Sequence, residues 1–226
     1  MSDKRTIILR EGCAGCGGEW QVAGGQSLEL YQLCSEGTHS VRLSLEAGAH
    51  AKVVFAAATE GELSYDYQIE LCGEGAEVEL YGVFVARGEG RVRVHTEMRH
   101  NAPGCHSDQQ VRGIAGERGY GLFDGLVYVA PDAQKTEAYQ QSRNVLLAPT
   151  ARIQTQPQLE IYADDVKCSH GATVGQMNEE QIYYMRQRGL SEEDARRLQL
   201  GGFMQEIVDK VTDDALREEF ERVVGL

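Results

Sequence analysis

Cys168 and His170, in the segment LEIYADDVKCSHGATVG, are the one cysteine and histidine pair of this chain that sits at ligand spacing in a strand-like setting. If residues 166 to 170 are extended, side chains two apart leave the same face, so Cys168 and His170 project together while Lys167 and Ser169 point away. A thiolate suits iron, copper or zinc, and a neighbouring imidazole adds a borderline ligand that can also promote thiol deprotonation. The plainer alternative is that Cys168 fills the last layer of a core and His170 caps it. Leu159 and Ile161 set one strand phase and Val166 and Cys168 the other, so Asp164 and Asp165 must carry a bulge or a corner.

The other candidates are less specific. Cys13 and Cys16 form a C-x-x-C loop flanked by glycines, half of a zinc or iron knuckle whose second half is missing. They are a weak metal or redox pair. His95, His100, Cys105 and His106 cluster in VHTEMRHNAPGCH without zinc spacing, and the histidines read as surface or turn residues. Cys34, Cys72 and Cys105 taken singly fit small buried hydrophobes. The chain has neither a G-x-S-x-G elbow nor a P-loop, so no nucleotide is expected on it, and any ATPase activity belongs to a partner.

The elements that must position these residues are legible from composition and period. With 226 residues, 42% of them apolar and 25% charged, the chain can bury a sizeable core. Twenty-two basic against 35 acidic side chains give a formal charge of -13, which disfavours nucleic acid. The opening MSDKRTIILREG has too short an apolar run for a signal peptide, and nothing approaches the ~20 apolar residues of a membrane helix. Six dispersed cysteines fit reduced thiols better than a disulfide framework. A cytoplasmic protein without membrane insertion is the expectation.

Val41, Leu43 and Leu45, then Val78 and Leu80, then Val92 and Val94 alternate with polar residues as strands do. Turn signals recur between the strands, and several are followed by a small residue and renewed alternation, as in GAHAKVVF, GEGAEVELYG, APDAQKTEAY and APTARIQTQP. Stacked coils need a small inward residue after each corner. No helix-periodic run separates the strands, which argues against a doubly wound fold. A mainly β, parallel β-helix (solenoid) fits better than a sandwich, which stays open. We expect a cap of strands over 1–37, a β-helix core over 38–172 and a small α-helical subdomain over 173–226. Its helices start at Asn178 with Gln181, at Ser191 with Asp194, and at Thr212 or Asp213; Gly189 closes the first, and Gly201-Gly202 is a weak point in the second.

At YADDVKCSHGATVG followed by EEQIYYMRQRGL, with HNAPG and YGLFDGLVYVAPDAQKTEAYQQSRNVLL upstream, the chain resembles the SufB/SufD family (SufBD core) and looks closer to SufD. The resemblance implies a right-handed parallel β-helix with a C-terminal helical subdomain. It implies a non-catalytic scaffold in iron-sulfur cluster assembly that works with a SufC-type ABC ATPase and pairs with a SufB-like subunit or with itself. On this resemblance Cys168 and His170 contact a transient cluster, iron or sulfide shared with a partner chain. The ATPase would dock on the helices through Gln181, Ile182, Tyr183, Tyr184, Met185, Arg186, Arg188 and Gly189. Deleting residues 178–226 should then abolish its binding while the strands still fold. Ser142 stands where SufB-type sequences carry a cysteine, so a SufB-like cluster site is not expected, and the family's long N-terminal helical region looks absent. The rival classes are a β-helix enzyme acting on polysaccharide, suggested by the solenoid pattern and carboxylate surplus, and a purely structural assembly subunit.

Overall fold

A computed structural model describes residues 4–10 and 17–225. Cys13 and Cys16 lie outside the described residues. Thirteen strands and then three helices follow one another among the described residues. The strands are β1 (Lys4–Arg10), β2 (Gly18–Val22), β3 (Ser27–Leu33), β4 (Gly37–Leu45), β5 (His50–Thr59), β6 (Glu62–Leu71), β7 (Glu77–Ala86), β8 (Arg91–His100), β9 (His106–Ala115), β10 (Tyr120–Val129), β11 (Glu137–Leu146), β12 (Arg152–Ile161) and β13 (Lys167–Gln176). The helices are α1 (Glu179–Gln187), α2 (Glu192–Val208) and α3 (Asp214–Val224).

Odd-numbered strands lie side by side in a seven-stranded sheet and even-numbered strands in a six-stranded sheet. The pairs are parallel throughout. A chain that lays one strand in each sheet by turns is a parallel β-helix, as the recurrence of corners and small residues predicts. Equivalent residues of successive coils therefore stack in rows. One corner of each coil is a residue in the left-handed region, Gly25, Gly48, Gly75, Gly104 and Lys135, with φ between 64° and 70°. Each of these donates its N–H to a carbonyl of the next coil, at Ala47, Glu74, Pro103, Gln134 and Asp165. Glycine suits four of the five because it has no Cβ to clash there. At Lys135 an ion pair to Asp165 ties the strained corner to the last coil. The residue after the corner is small and buried in four of the five, Ala49, Ala76, Cys105 and Thr136, whereas Gln26 after Gly25 is exposed.

The main core lies between the sheets. A second core lies outside them, where α2 and α3 fold back over Tyr31, Val54, Tyr81 and Val83 on the outer face of the seven-stranded sheet. Phe220 meets Tyr31 edge-on at 6.1 Å, and Glu219 receives two hydrogen bonds from Arg10 at 2.8 and 2.7 Å. Asn178, Ser191 and Asp213 each cap their helix by accepting a backbone N–H three residues on. α2 runs unbroken through Gly201-Gly202 because its buried face, Ala195, Met204, Ile207 and Val208, is held by the sheet and by α1 and α3.

Outside the tail's footprint, rows of charged residues cross the sheets. His50 Nε2 lies 3.5 Å from Glu79 on neighbouring β5 and β7. The hydrogen bond between them holds the Glu79 carboxyl at about 2, against 4.5, and raises the His50 imidazole above 6.5. The Glu79 contribution is present above pH 4.5 and lost as pH falls toward 2; the His50 contribution is present below 6.5 and lost as pH rises through its elevated value. The pair therefore stabilises most between pH 4.5 and 6.5. We expect the difference in thermal midpoint between wild type and His50→Ala to peak near pH 5–6 and shrink on both sides, as melts across that range will show.

Candidate functional site at the open end of the solenoid

β12 and β13 close the two sheets at their C-terminal ends, and each is paired on one side only. Apart from half-buried Cys168, every residue of β13 is exposed. An unpaired strand edge presents a row of N–H and C=O groups able to accept another strand. The strand KCSHGATVGQ carries one charged residue, Lys167, at its start and no proline, so little on it opposes such pairing.

Register fixes the direction of the two candidate ligands. Cys168 aligns with Ala138 and, one coil further in, Ser107; His170 aligns with Gln140 and Gln109. These inner neighbours are buried in the lumen, and Cys168 packs on the main core. Cys168 and His170 thus share the inward-facing side of the terminal strand, at the mouth of the lumen. Asp164 and Asp165 lie in the corner between β12 and β13, where the strand phase changes because the chain crosses from one sheet to the other. Burial pushes the Cys168 thiol above 9.0, partly opposed by the backbone at Ala138, which favours the neutral thiol.

Two donors do not enclose an ion. Among the described residues no group of three or more His, Cys, Asp and Glu side chains could hold a metal. A thiolate and an imidazole are a partial donor set of the kind iron accepts, and any ion held there would need its remaining ligands from elsewhere. Ser142 is buried in the lumen, one coil inward of Ala172, where its hydroxyl accepts from Asn144.

The other sequence candidates separate. His95 lies on the outer face between Asp66 and Asp124, at 4.0 and 3.4 Å. His100, expected at a surface or turn, is buried: it is the last inward residue of β8, 2.9 Å from Ser107 Oγ, and desolvation lowers its pKa to about 4. Cys105 is the corner-filling residue, its Sγ 3.3 Å from the Gly73 carbonyl. Cys34 is buried as a small hydrophobe would be, whereas Cys72 is exposed and 3.5 Å from Ser44 Oγ.

The helical candidates divide by face. Ile182 is buried against Met177 and Ala195, and Met185 is half-buried beside it. Tyr183 and Tyr184 are exposed, as is Leu198 on α2, and Arg188 stacks over Tyr184 at 4.9 Å. Gln181 and Arg186 are exposed, with Arg186 3.1 Å from Glu192, and Gly189 ends the helix at φ 98°.

With this geometry in view, comparison with known proteins decides the family. A model described as "SUF system FeS cluster assembly, SufBD core domain" matches residues 25–203. The chain belongs to the SufBD core family. The "Iron-sulfur cluster assembly protein SufD" of Escherichia coli (strain K12) is 35% identical over 163 residues, covering 72% of this chain and 38% of the relative. A SufBD family protein of Synechocystis is 36% identical over 152 residues, 67% and 34% of the respective chains. The SufD of Bacillus subtilis is 27% identical over 189 residues, 83% and 43%. The match thus spans only about two fifths of these curated relatives. No helix of the described residues in this SufBD core is long and apolar enough to cross a membrane.

Proposed function

We propose that this chain is a SufD-like, non-catalytic scaffold subunit for iron-sulfur cluster assembly in the cytoplasm. Its β12–β13 end pairs with a SufB-like β-helix or with a second copy. Cys168 and His170 there contact iron or sulfide of a cluster in transit, with the other ligands on the facing chain. A SufC-type ABC ATPase supplies the nucleotide chemistry and docks on the exposed face of α1, through Tyr183, Tyr184 and their neighbours. The observation that carries the reading is the placement of a thiol and an imidazole side by side on a terminal strand whose outer edge is unpaired. Metal capture at such a junction couples to assembly, because neither half encloses the ion alone.

Anaerobic reconstitution with a SufB-like subunit and the ATPase tests this. Losing even a ligand's supporting hydrogen bond costs roughly 10–100-fold in metal affinity, so the Cys168→Ser/His170→Ala double variant should cut cluster formation at least ~10-fold while the complex still assembles. Unchanged iron and sulfide content would remove the site assignment. For docking, truncation at residue 178 is the wrong instrument, because it uncovers the apolar strip beneath α2 and α3. A Tyr183→Glu/Tyr184→Glu variant leaves that strip covered and should lose ATPase binding in the same preparation. Wild-type binding by this variant would overturn the docking face.

A further inference from the structure

A cleft of about 610 Å³ lies where α2 and α3 cross the corners that lead from the seven-stranded sheet to the six-stranded one. Its floor is apolar: Val85 and Ile114 near the ends of β7 and β9, Met204 of α2 and Val224 of α3. The sequence leaves this space open because the corners beneath α2 carry Gly88, Gly116 and Ala148, which have little or no side chain to fill it. Arg197, Leu200 and Met204 recur at helical spacing and make one face of α2 a wall, whereas Leu198 and Tyr184 border a separate hollow. Ligand sites share this order of volume and this apolar lining. Leu147, Ala148 and Leu200 also line a neighbouring recess of about 410 Å³ with Pro149 and Met177, so the two join as an elongated groove along α2. Leu147 stands at the junction, 39% exposed and outside all three apolar cores.

Charge selects what fits. Four charged side chains border the larger cleft, and its two cations are committed: Arg87 donates to the Val224 carbonyl at the end of α3 at 3.3 Å, and Arg197 pairs with Asp194 at 2.9 Å. In the smaller recess Arg196 pairs with Glu179 at 3.1 Å. Glu60 and Glu117 are exposed and make no ion pair or side-chain hydrogen bond among the described residues. Both reach over Gly88, where an added Cβ would lie 3.8 Å from Glu117 Oε2 and 3.9 Å from Glu60 Cγ. One rim of an apolar groove therefore carries two uncompensated carboxylates.

We propose that this groove receives a segment of a partner protein that carries apolar anchors followed by lysine or arginine, with the anchors over Val85, Ile114 and Leu147 and the cation between Glu60 and Glu117. A peptide segment is specified over a compact small molecule because the two recesses continue one another along the helix. The carboxylates at one end fix the direction in which the segment lies. The groove has no lining residue in common with Cys168 and His170 or with Tyr183 and Tyr184, so it stands apart from both sites proposed above.

Methyl NMR of the full chain tests this with two short synthetic peptides, one placing leucines at helical spacing and one at extended spacing, each ending in a pair of lysines. At least one of them should move the Ile114 and Met204 methyl signals saturably. Replacing its lysines with glutamates, or its leucines with serines, should leave those signals unmoved. Glu60→Gln and Glu117→Gln, both at exposed positions, should weaken binding roughly 3-fold each and about 10-fold together. Hexylamine, with one anchor and one charge, should shift the methyls only at far higher concentration than the peptide. The proposal falls if neither lysine peptide moves these methyls, if the glutamate or serine peptide binds as well, or if the double glutamine variant binds unchanged. It falls equally if hexylamine saturates the signals at the concentration of the peptide, which would make the occupant a small amine.

Discussion

Replacing Phe220 with alanine is expected to lower the unfolding free energy by about 3–5 kcal/mol, the usual cost of truncating a fully buried aromatic. Phe220 is 1% exposed and sits where the last helix closes over Tyr31, surrounded by the apolar strip that α2 and α3 share with the seven-stranded sheet. The cavity cannot collapse easily, because one wall is a parallel sheet locked in register. In a domain of this size each kcal/mol moves the midpoint roughly 2–4 °C, so a drop on the order of 10 °C should appear in a thermal melt. Urea unfolding separates two forms of the outcome. A tail that detaches first gives a second, low-denaturant transition, whereas a tail integral to the solenoid keeps one. A variant that melts within 2 °C of wild type would show that the helices contribute little to the fold.

The second large effect is an asymmetry within one ion pair. Arg112 on the outer face of β9 is 1% exposed and donates a 2.6 Å hydrogen bond to Glu206 of α2, whose side chain is 53% exposed. The Phe203 ring lies 5.9 Å from the guanidinium. Removing Glu206 strands a buried cation, and Glu206→Ala should cost about 3 kcal/mol, the lower end for breaking a buried pair because solvent reaches one partner. Removing the arginine leaves a carboxylate that water can already solvate, so Arg112→Met should cost about 1 kcal/mol or less. Chemical denaturation of both variants checks the order. If Arg112→Met proves the more destabilising, the pair works through packing of the arginine stem and not through its charge.

How much of this was legible depended on whether each coil spoke the same language as its neighbours. Strands such as Val41–Leu45 and Val92–Val94 declared themselves because one face is apolar and the other polar. β9 and β11, HSDQQVRGIA and EAYQQSRNVL, are polar on both faces, so a period-two reading could not say which face was inside. Only their register beneath Leu80 shows Gln109 and Gln140 pointing inward. The corners in GAHAKVVF, GEGAEVELYG and APDAQKTEAY were readable, but in the last nothing marked Lys135, a non-glycine residue, as the one in the left-handed conformation. Cys168 and His170 were paired by their two-residue spacing alone. The tail was half legible: all three caps follow local rules, but IYY reads as one surface block in the sequence, whereas 100° per residue turns Ile182 into the core and leaves Tyr183 and Tyr184 outside.

The fold-back of the tail also orders events during synthesis. Arg10 meets Glu219, 209 positions away, and the strip formed by Tyr31, Val54, Tyr81 and Val83 waits for helices made well over a hundred residues later. Coils can stack one on another as they leave the ribosome, since each contacts only its neighbours. Their outer apolar strip nevertheless stays bare until α2 and α3 emerge, on the order of ten seconds at 5–20 residues per second. During that interval the nascent solenoid exposes an apolar strip of the kind holdase chaperones bind, and a ribosome stalled before α3 would display part of it on an otherwise folded chain.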